Sequence, residues 1–225
     1  MDLHTENSAS ETIRRQPIAK HDFNEIQSLK VLEDTIWQSL YRATTDRSAP
    51  FRTATFATLA TSGSEQLLFP SMRTVVLRTV NIERRELSFN SDNRSVKIDQ
   101  IESAPQISWL FYDRKLRTQL RLRGVACIAS SGNERRAAWD LAQKMSRRCY
   151  CITQTPGSVA PDGPTTGLST AMADGIDHDF SGGFENFARI TTTITHIDWL
   201  YLSKNGNHRA QFNYTPAKTA FWVYP

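Results

Sequence analysis

The stretches Gln106 to Tyr112, QISWLFY, and Thr118 to Ala129, TQLRLRGVACIA, decide the fold class of this chain. In the second stretch the polar side chains of Gln119, Arg121 and Arg123 alternate with leucines, and a period of two is that of a β-strand. The charged residues DRKLR join the two stretches. The pattern therefore predicts an antiparallel β-hairpin whose second strand has one apolar and one cationic face.

Other parts of the chain repeat this strand pattern and add a few helices. Apolar residues at three- and four-residue steps predict a helix from Phe23 to Arg42, and we predict further helices at Ser95 to Ser103 and Asn133 to Arg148. The remaining strands are predicted at residues 53–61, 67–69, 72–80, 86–89, 187–202, 209–214 and 221–224. We expect a mainly β fold, an antiparallel barrel with helices.

Composition indicates how the chain is organised. Residues 1–20 are polar and charged and are predicted to form a flexible tail, which leaves 21–225 as a single domain. Within that domain Pro, Gly, Ser, Thr and Asp dominate residues 155–183, so we predict a mobile loop there. The net charge of +4 on 225 residues is by itself too small to indicate a nucleic-acid partner.

Signals for secretion, membranes and metals are lacking in the sequence. The first residues have no apolar segment of a secretory signal, and no apolar run approaches the ~20 residues of a membrane span. The three cysteines are an odd number and favour reduced thiols, so we expect a cytoplasmic protein. The five histidines lack the i, i+4 spacing of a zinc-binding helix, and no metal is expected.

Two basic clusters adjoin predicted strands. The segment RTVVLR, from Arg73 to Arg78, has an arginine at each end, and their odd separation predicts opposite faces of a strand. The segment FNSDNRSVK, from Phe89 to Lys97, places hydroxyls and cations where a strand meets a helix, a place suited to a phosphate. The alternatives are arginines that extend into water and an ordinary helix cap with a solvated face.

Two more candidate binding sites are the cationic face of the hairpin and a pair of residues later in the chain. Gln119, Arg121 and Arg123 suit a solvent-exposed strand, a cleft for an anionic ligand or a ribbon that contacts nucleic acid. Gln119 favours a ligand, because an amide offers a donor and an acceptor to a polar ring edge. Trp199 and Arg209 flank a predicted turn, and the tryptophan could either stack on a ligand or pack in the core.

In this order the clusters resemble the pyridoxamine 5'-phosphate oxidase-like family of FMN-binding split barrels. The family's R-x-V-L-L-K strand is similar to residues 73–78, and its F-Y-T-N-x-x-S-R-K segment is similar to residues 89–97. Its hairpin, N-P-x-x-x-x-x-F-Y-W-x-x-L-x-R-Q-V-R-V-E-G, is similar to residues 105–124. Three matches with similar spacing are fairly specific. The resemblance implies an FMN-binding split barrel of antiparallel strands, and a homodimer with FMN at the subunit interface.

The resemblance also implies which residues bind the cofactor. They are Arg73, Thr74, Val75, Val76, Leu77, Arg78, Ser91, Ser95, Lys97, Gln119, Trp199 and Arg209. The first two arginines, both serines and the lysine would hold the phosphate and the ribityl chain through charge-assisted hydrogen bonds. Val75 and Val76 would offer backbone groups to the isoalloxazine, and Gln119 would hydrogen-bond the ring. Trp199 and Arg209 would come from the partner subunit.

The chain departs from the true oxidases at positions that handle their substrate. The C-terminal R-L-H-D-R motif aligns with residues 205–209, NGNHR, which keep only the final arginine. Val96 replaces an arginine of the phosphate-binding segment, for which Arg94 is a candidate substitute, and Asn90 replaces a tyrosine.

The implied function is that of an FMN-dependent oxidoreductase of unassigned small-molecule substrate, for which we assign no catalytic residue. One alternative is a true pyridoxamine or pyridoxine 5'-phosphate oxidase, and another is a non-enzymatic flavin carrier or sensor. A third is a nucleic-acid-binding barrel that uses the face of Arg121 and Arg123.

Overall fold

The structure, a computed structural model, describes residues 28–62, 67–169 and 180–225. The strands are β1 Thr53–Ser62, β2 Leu67–Val76, β3 Thr79–Asn81, β4 Glu86–Asp92, β5 Gln106–Asp113, β6 Thr118–Ala129, β7 Phe187–Tyr201, β8 His208–Asn213 and β9 Thr219–Val223. The helices are α1 Leu29–Thr45, α2 Val96–Ser103, α3 Gly132–Asp140 and α4 Lys144–Arg147. The strands form one antiparallel sheet in the order β2-β1-β5-β6-β7-β4-β3, and β8 joins β7 and β9. The prediction of an antiparallel β fold with helices is confirmed.

The predicted hairpin is confirmed and forms the centre of the sheet. In β5 buried and exposed residues alternate along the whole strand, as a period of two requires. The strand pairs with β6 in a register that places Trp109 opposite Leu122. A bulge lies at Arg123 and Gly124, where a Cβ on the glycine would lie 2.3 Å from the backbone oxygen of Thr193. Only glycine therefore allows β7 to approach β6 this closely.

Aromatic rings and one helix fill the interior. Phe56 lies 4.8 Å from Phe89 and 5.1 Å from Trp109 between ring centroids, both in edge-to-face contact. Helix α1 buries Leu32 and Leu40 against this core, as its helical spacing predicts. The aromatic cluster fixes the positions of β1, β4 and β5, from which the candidate site is built.

One predicted helix is interrupted in the structure. The expected helix from Asn133 to Arg148 ends at Asp140 and resumes only for one turn, from Lys144 to Arg147. The side chain of Arg147 donates to the backbone oxygens of Asp140 and Ala142, which helps to satisfy carbonyl groups at the interruption. The apolar face that was predicted for this helix is therefore incomplete, since Trp139 is buried but Leu141 and Met145 are exposed.

Three other predictions fall partly or wholly outside the described residues, and one of them is the first part of the predicted helix from Phe23 to Arg42. The predicted tail 1–20 lies outside them, and so do residues 170–179 of the predicted loop. Residues 155–169 contain neither helix nor strand, and the mobility of the loop stays a prediction. Within the described part of the chain, no helix combines the length and the apolar character needed to cross a membrane.

Candidate functional site

Arg73 lies where β2 meets α2. Its Nη1 donates to Oγ1 of Thr58 at 2.6 Å, and its Nη2 donates to Oε1 of Gln100 at 3.0 Å. It also donates to the hydroxyl and the backbone oxygen of Ser71. All these acceptors are neutral, so they orient the guanidinium without cancelling its charge.

Lys97 brings a second cation to the same place from the first turn of α2. Its Nζ donates to Oγ of Ser91, at the end of β4, over 3.0 Å. Ser95, the N-cap residue of α2, is buried beside this turn, and so is Ser91. We call Arg73, Ser91, Ser95 and Lys97 the α2 cluster. The structure thus brings together four of the residues predicted to bind a phosphate.

Burial and mutual repulsion disfavour the charges of this cluster. Burial lowers the pKa of Lys97, the positive charge of Arg73 lowers it further, and Asp92 opposes the shift. Burial also lowers the pKa of Arg73. Two cations are therefore held near each other in a partly desolvated place, which is the arrangement that an anionic ligand would stabilise.

A second group of charged side chains lies on the outer face of the sheet. Asp198 on β7 accepts from Nη2 of Arg121 at 2.8 Å and from Nε2 of Gln211 at 3.2 Å. Arg209 on β8 donates to both carboxylate oxygens, from Nε at 3.0 Å and from Nη2 at 2.7 Å. We call Arg121, Asp198, Arg209 and Gln211 the outer cluster. It lines a cavity of about 430 Å³.

Gln119 belongs to the same outer face. It lies opposite Leu200 of β7, which in turn lies opposite Arg209 of β8. Side chains at directly paired positions point to the same face of a sheet, so Gln119 and Arg209 face the same side, one strand apart. The sheet therefore separates the predicted cofactor residues into two groups.

Arg78 lies just beyond the end of β2, and the expectation that Arg73 and Arg78 point to opposite faces stays a prediction. Strand β2 ends at Val76, and the side chain of Leu77 is buried in the core, as that of Val75 is. The charge of Arg78 acts on Tyr150, whose pKa is raised chiefly by burial, and this arginine opposes the rise. Thr74 is exposed, and Val75 is buried.

Trp199 is a core residue in this chain. Its ring is 0% exposed, stacks on Tyr201 at 6.2 Å and meets Trp222 edge to face at the same distance. A fully enclosed ring cannot contact a cofactor unless its neighbours move, and the predicted contact of Trp199 with a cofactor stays a prediction. Of the two functions that the sequence left open for this tryptophan, the structure favours packing.

Arg94 does not take the place of the arginine that Val96 replaces. Its guanidinium donates to both carboxylate oxygens of Asp92, at 3.0 and 2.7 Å, and to the backbone oxygens of Ile152 and Thr153. These contacts connect the turn before α2 to the start of the long irregular segment. The guanidinium therefore serves a structural purpose.

Five participants were missed from the sequence, and they are Thr58, Ser71, Gln100, Asp198 and Gln211. Thr58 and Gln100 orient Arg73 but lie 15 and 27 residues away from it in the chain. Asp198 had a usable signal, because a carboxylate between apolar residues in a predicted strand has to be paired when it is buried. Its partners could not be identified before the strand register was known.

The fold and the two clusters define a class of protein, an antiparallel split barrel with two neighbouring cations beside its second helix. Solved structures share this fold. A pyridoxamine 5'-phosphate oxidase-related, FMN-binding protein from Nostoc punctiforme superposes with a TM-score of 0.64 at 22% identity, over 85% of this chain and 96% of the other. PhzG from Burkholderia lata, in complex with tetrahydrophenazine-1-carboxylic acid, has a TM-score of 0.64 at 14% identity, over 93% and 98%.

Sequence comparison finds similarity to one family over part of the chain. Residues 34–130 match the sequence model described as pyridoxamine 5'-phosphate oxidase, FMN-binding domain. The chain is also 28% identical, over 178 residues, to the pyridoxine/pyridoxamine 5'-phosphate oxidase 2 of Arabidopsis thaliana, covering 75% of this chain and 84% of that protein. Over residues 34–130 this chain is therefore similar in sequence to the FMN-binding domain of the pyridoxamine 5'-phosphate oxidase family, and it shares the fold of the two solved structures.

Proposed function

We propose that this chain binds FMN at the α2 cluster and acts as an FMN-dependent oxidoreductase on a small-molecule substrate, as a homodimer. The observation that carries the proposal is the proximity of Arg73 and Lys97, whose pKa values are both lowered. A phosphate dianion would supply the missing negative charge and accept hydrogen bonds from both cations and the neighbouring hydroxyls. The residues present therefore fit the phosphate end of FMN.

The position of β2 supports the expected contact with the isoalloxazine ring. Among the described strands β2 is the terminal strand of the sheet order and pairs with β1 alone. Backbone groups along its other edge are thus left for a ligand, which is what the roles predicted for Val75 and Val76 require. The bound flavin would supply the redox chemistry, while these residues would hold and orient it.

Two observations support the homodimer. Gln119 and Arg209 lie on the outer face of the sheet, away from the α2 cluster, so they would reach a flavin held by a partner subunit. The same face exposes large apolar side chains, which a second subunit would cover. These side chains are Leu59, Met72, Leu110 and Val125. We propose an interface there, with FMN near its edge, and the cytoplasmic location stays a prediction.

The test is FMN binding by the purified chain and by the variant Arg73→Ala/Lys97→Ala. The wild type should show flavin absorption and quench FMN fluorescence on titration. Loss of two charge-assisted contacts should raise the Kd for FMN by about 100-fold or more. The matched control is Lys30→Ala/Arg84→Ala, which removes two exposed cations and should leave the Kd unchanged.

Several outcomes would contradict or narrow the proposal. A wild type that does not bind FMN contradicts it, and equal affinity in the double variant contradicts the phosphate site. Conversion of pyridoxamine 5'-phosphate to pyridoxal phosphate would identify a true oxidase. Reduced FMN that persists without acceptor specificity would indicate a carrier or sensor. A colourless protein with salt-dependent oligonucleotide binding would favour the nucleic-acid alternative.

A further inference from the structure

Asp198 is an unusual residue for the middle of a strand that is otherwise largely apolar. It is 6% exposed, and its neighbours Ile197 and Trp199 are fully buried. An isolated carboxylate at such a position would cost several kcal/mol, on the order of the desolvation penalty of a buried ion. The fold retains it by surrounding it with donors from both adjacent strands.

The strand register explains how these donors meet. Arg121 of β6 and Gln211 of β8 lie directly opposite Asp198 on either side. Arg209 precedes Gln211 by two residues on β8, so its side chain points to the same face and reaches the carboxylate diagonally. Three strands thus converge on one acidic group.

The hydrogen bonds from Arg209 are bidentate and leave part of its guanidinium available. Nε and Nη2 are bound to the two oxygens of Asp198, whereas Nη1 has no hydrogen-bond partner within the described parts of the chain. Arg209 lines the cavity of about 430 Å³ on the outer face. A bidentate pair fixes the plane of the guanidinium as well as its position. The unbound Nη1 group is therefore held in one orientation.

The charges of the outer cluster are consistent with a fixed orientation of Arg209. Burial raises the pKa of Asp198, but hydrogen bonds from Arg209, Gln211 and Arg121 lower it more, so the group is ionised at neutral pH. The hydrogen bond to Asp198 in turn raises the pKa of Arg209. One carboxylate partly neutralises two arginines, and the cluster keeps one net positive charge.

We propose that Asp198 is a positioning residue that holds Arg209 in the orientation needed to donate to the flavin bound by the partner subunit. The inference rests on the proposed function, because it assigns Asp198 an effect on FMN that acts only through Arg209. Asp198 itself need not touch the cofactor. A flavin carbonyl oxygen or the N1 edge is an acceptor of the kind that the free Nη1 group would bind.

The experiment is a double-mutant cycle on FMN affinity, with Asp198→Asn and Arg209→Met in the full-length protein. Asp198→Asn keeps the shape of the side chain but loses the charge, and it should raise the Kd for FMN about tenfold. Arg209→Met should raise it by at least as much. The double variant should bind FMN no more weakly than Arg209→Met alone, because the second substitution removes an effect that has already been lost.

A matched control separates the effect of Asp198 on the position of Arg209 from an effect on the stability of the whole protein. Asp113 is also a buried carboxylate in this sheet, and it accepts from the backbone N–H groups of Lys115 and Leu116. Asp113→Asn should lower the denaturation midpoint without changing the Kd for FMN. If Asp198→Asn does not fold, Asp198→Glu keeps the charge on a longer stem, displaces Arg209 and should likewise weaken FMN binding.

The results distinguish this inference from the proposed function. If the wild type binds FMN and Asp198→Asn binds it equally well, Asp198 is not a positioning residue, although the proposed function stands. Additive losses in the cycle would also overturn the inference, since Asp198 would then act independently of Arg209. If the wild type does not bind FMN, both proposals fail together.

Discussion

The α2 cluster and the outer cluster both contain two cations, but only the outer cluster contains a carboxylate that binds both of them. In the α2 cluster Arg73 and Lys97 contact neutral oxygens, and their pKa values are lowered. In the outer cluster Asp198 binds two arginines, and the pKa of Arg209 is raised. We therefore expect the charges of the first cluster to destabilise the ligand-free fold, and the ion pairs of the second cluster to stabilise it.

This difference suggests how to distinguish binding sites from structural ion pairs in this fold. A cluster whose charges are balanced by the protein needs no ligand. A cluster of like charges in a partly buried place has to be stabilised by something that the chain does not supply. Substitutions of comparable size in the two clusters should therefore change the free energy of unfolding in opposite directions.

The largest change in stability is expected for Arg209→Met. The substitution removes two of the four hydrogen bonds to a buried carboxylate, and the free energy of unfolding should fall by about 2 kcal/mol. Chemical denaturation of the ligand-free protein measures it. Arg123→Met is the control, since Arg123 lies on the same face and has no ion pair within the described residues. If the free energy of unfolding fell equally in both variants, the ion pair between Arg209 and Asp198 would not be the cause of the loss.

For Lys97→Met in the ligand-free protein, we expect the free energy of unfolding to change in the opposite direction. Methionine fills a similar volume without a charge to desolvate or a repulsion from Arg73, so the free energy of unfolding should rise by about 1 kcal/mol. The same variant should bind FMN more weakly. Lys30→Met, at an exposed lysine of α1, should not give this rise. A less stable Lys97→Met protein would show that the lysine is a net structural contributor.

The smallest effect is expected in the pH dependence of stability. Because the pKa of Asp198 in the folded protein is below its ordinary value of 3.8, its contribution is fully present above 3.8 and is lost as the pH falls through the folded-state pKa. The difference in stability between the wild type and Asp198→Asn should therefore narrow on acidification. Denaturation curves measured from about pH 6 downward test this, and a difference that does not change with pH would contradict the assignment.

Local patterns were sufficient to predict much of the fold. The alternation of residues in the hairpin predicted β5 and β6 within their observed bounds, except that β5 extends one residue further, because alternate burial is a property of a single strand. The helix from Asn133 to Arg148 was predicted incorrectly in its middle. The side chain of Arg147 binds backbone oxygens at the interruption, and spacing alone does not reveal such a contact.

The candidate site was predicted less completely, and the reason lies in the distances along the chain. The sequence alone indicated the residue types of the α2 cluster, since hydroxyls and cations at a strand-to-helix junction suit a phosphate whatever surrounds them. Only the tertiary structure decided that Gln100 would orient Arg73, that Trp199 would be enclosed in the core and that Asp198 would bind Arg209. These contacts depend on strand order and register, which arise from the packing of the whole sheet and are not encoded in any one segment.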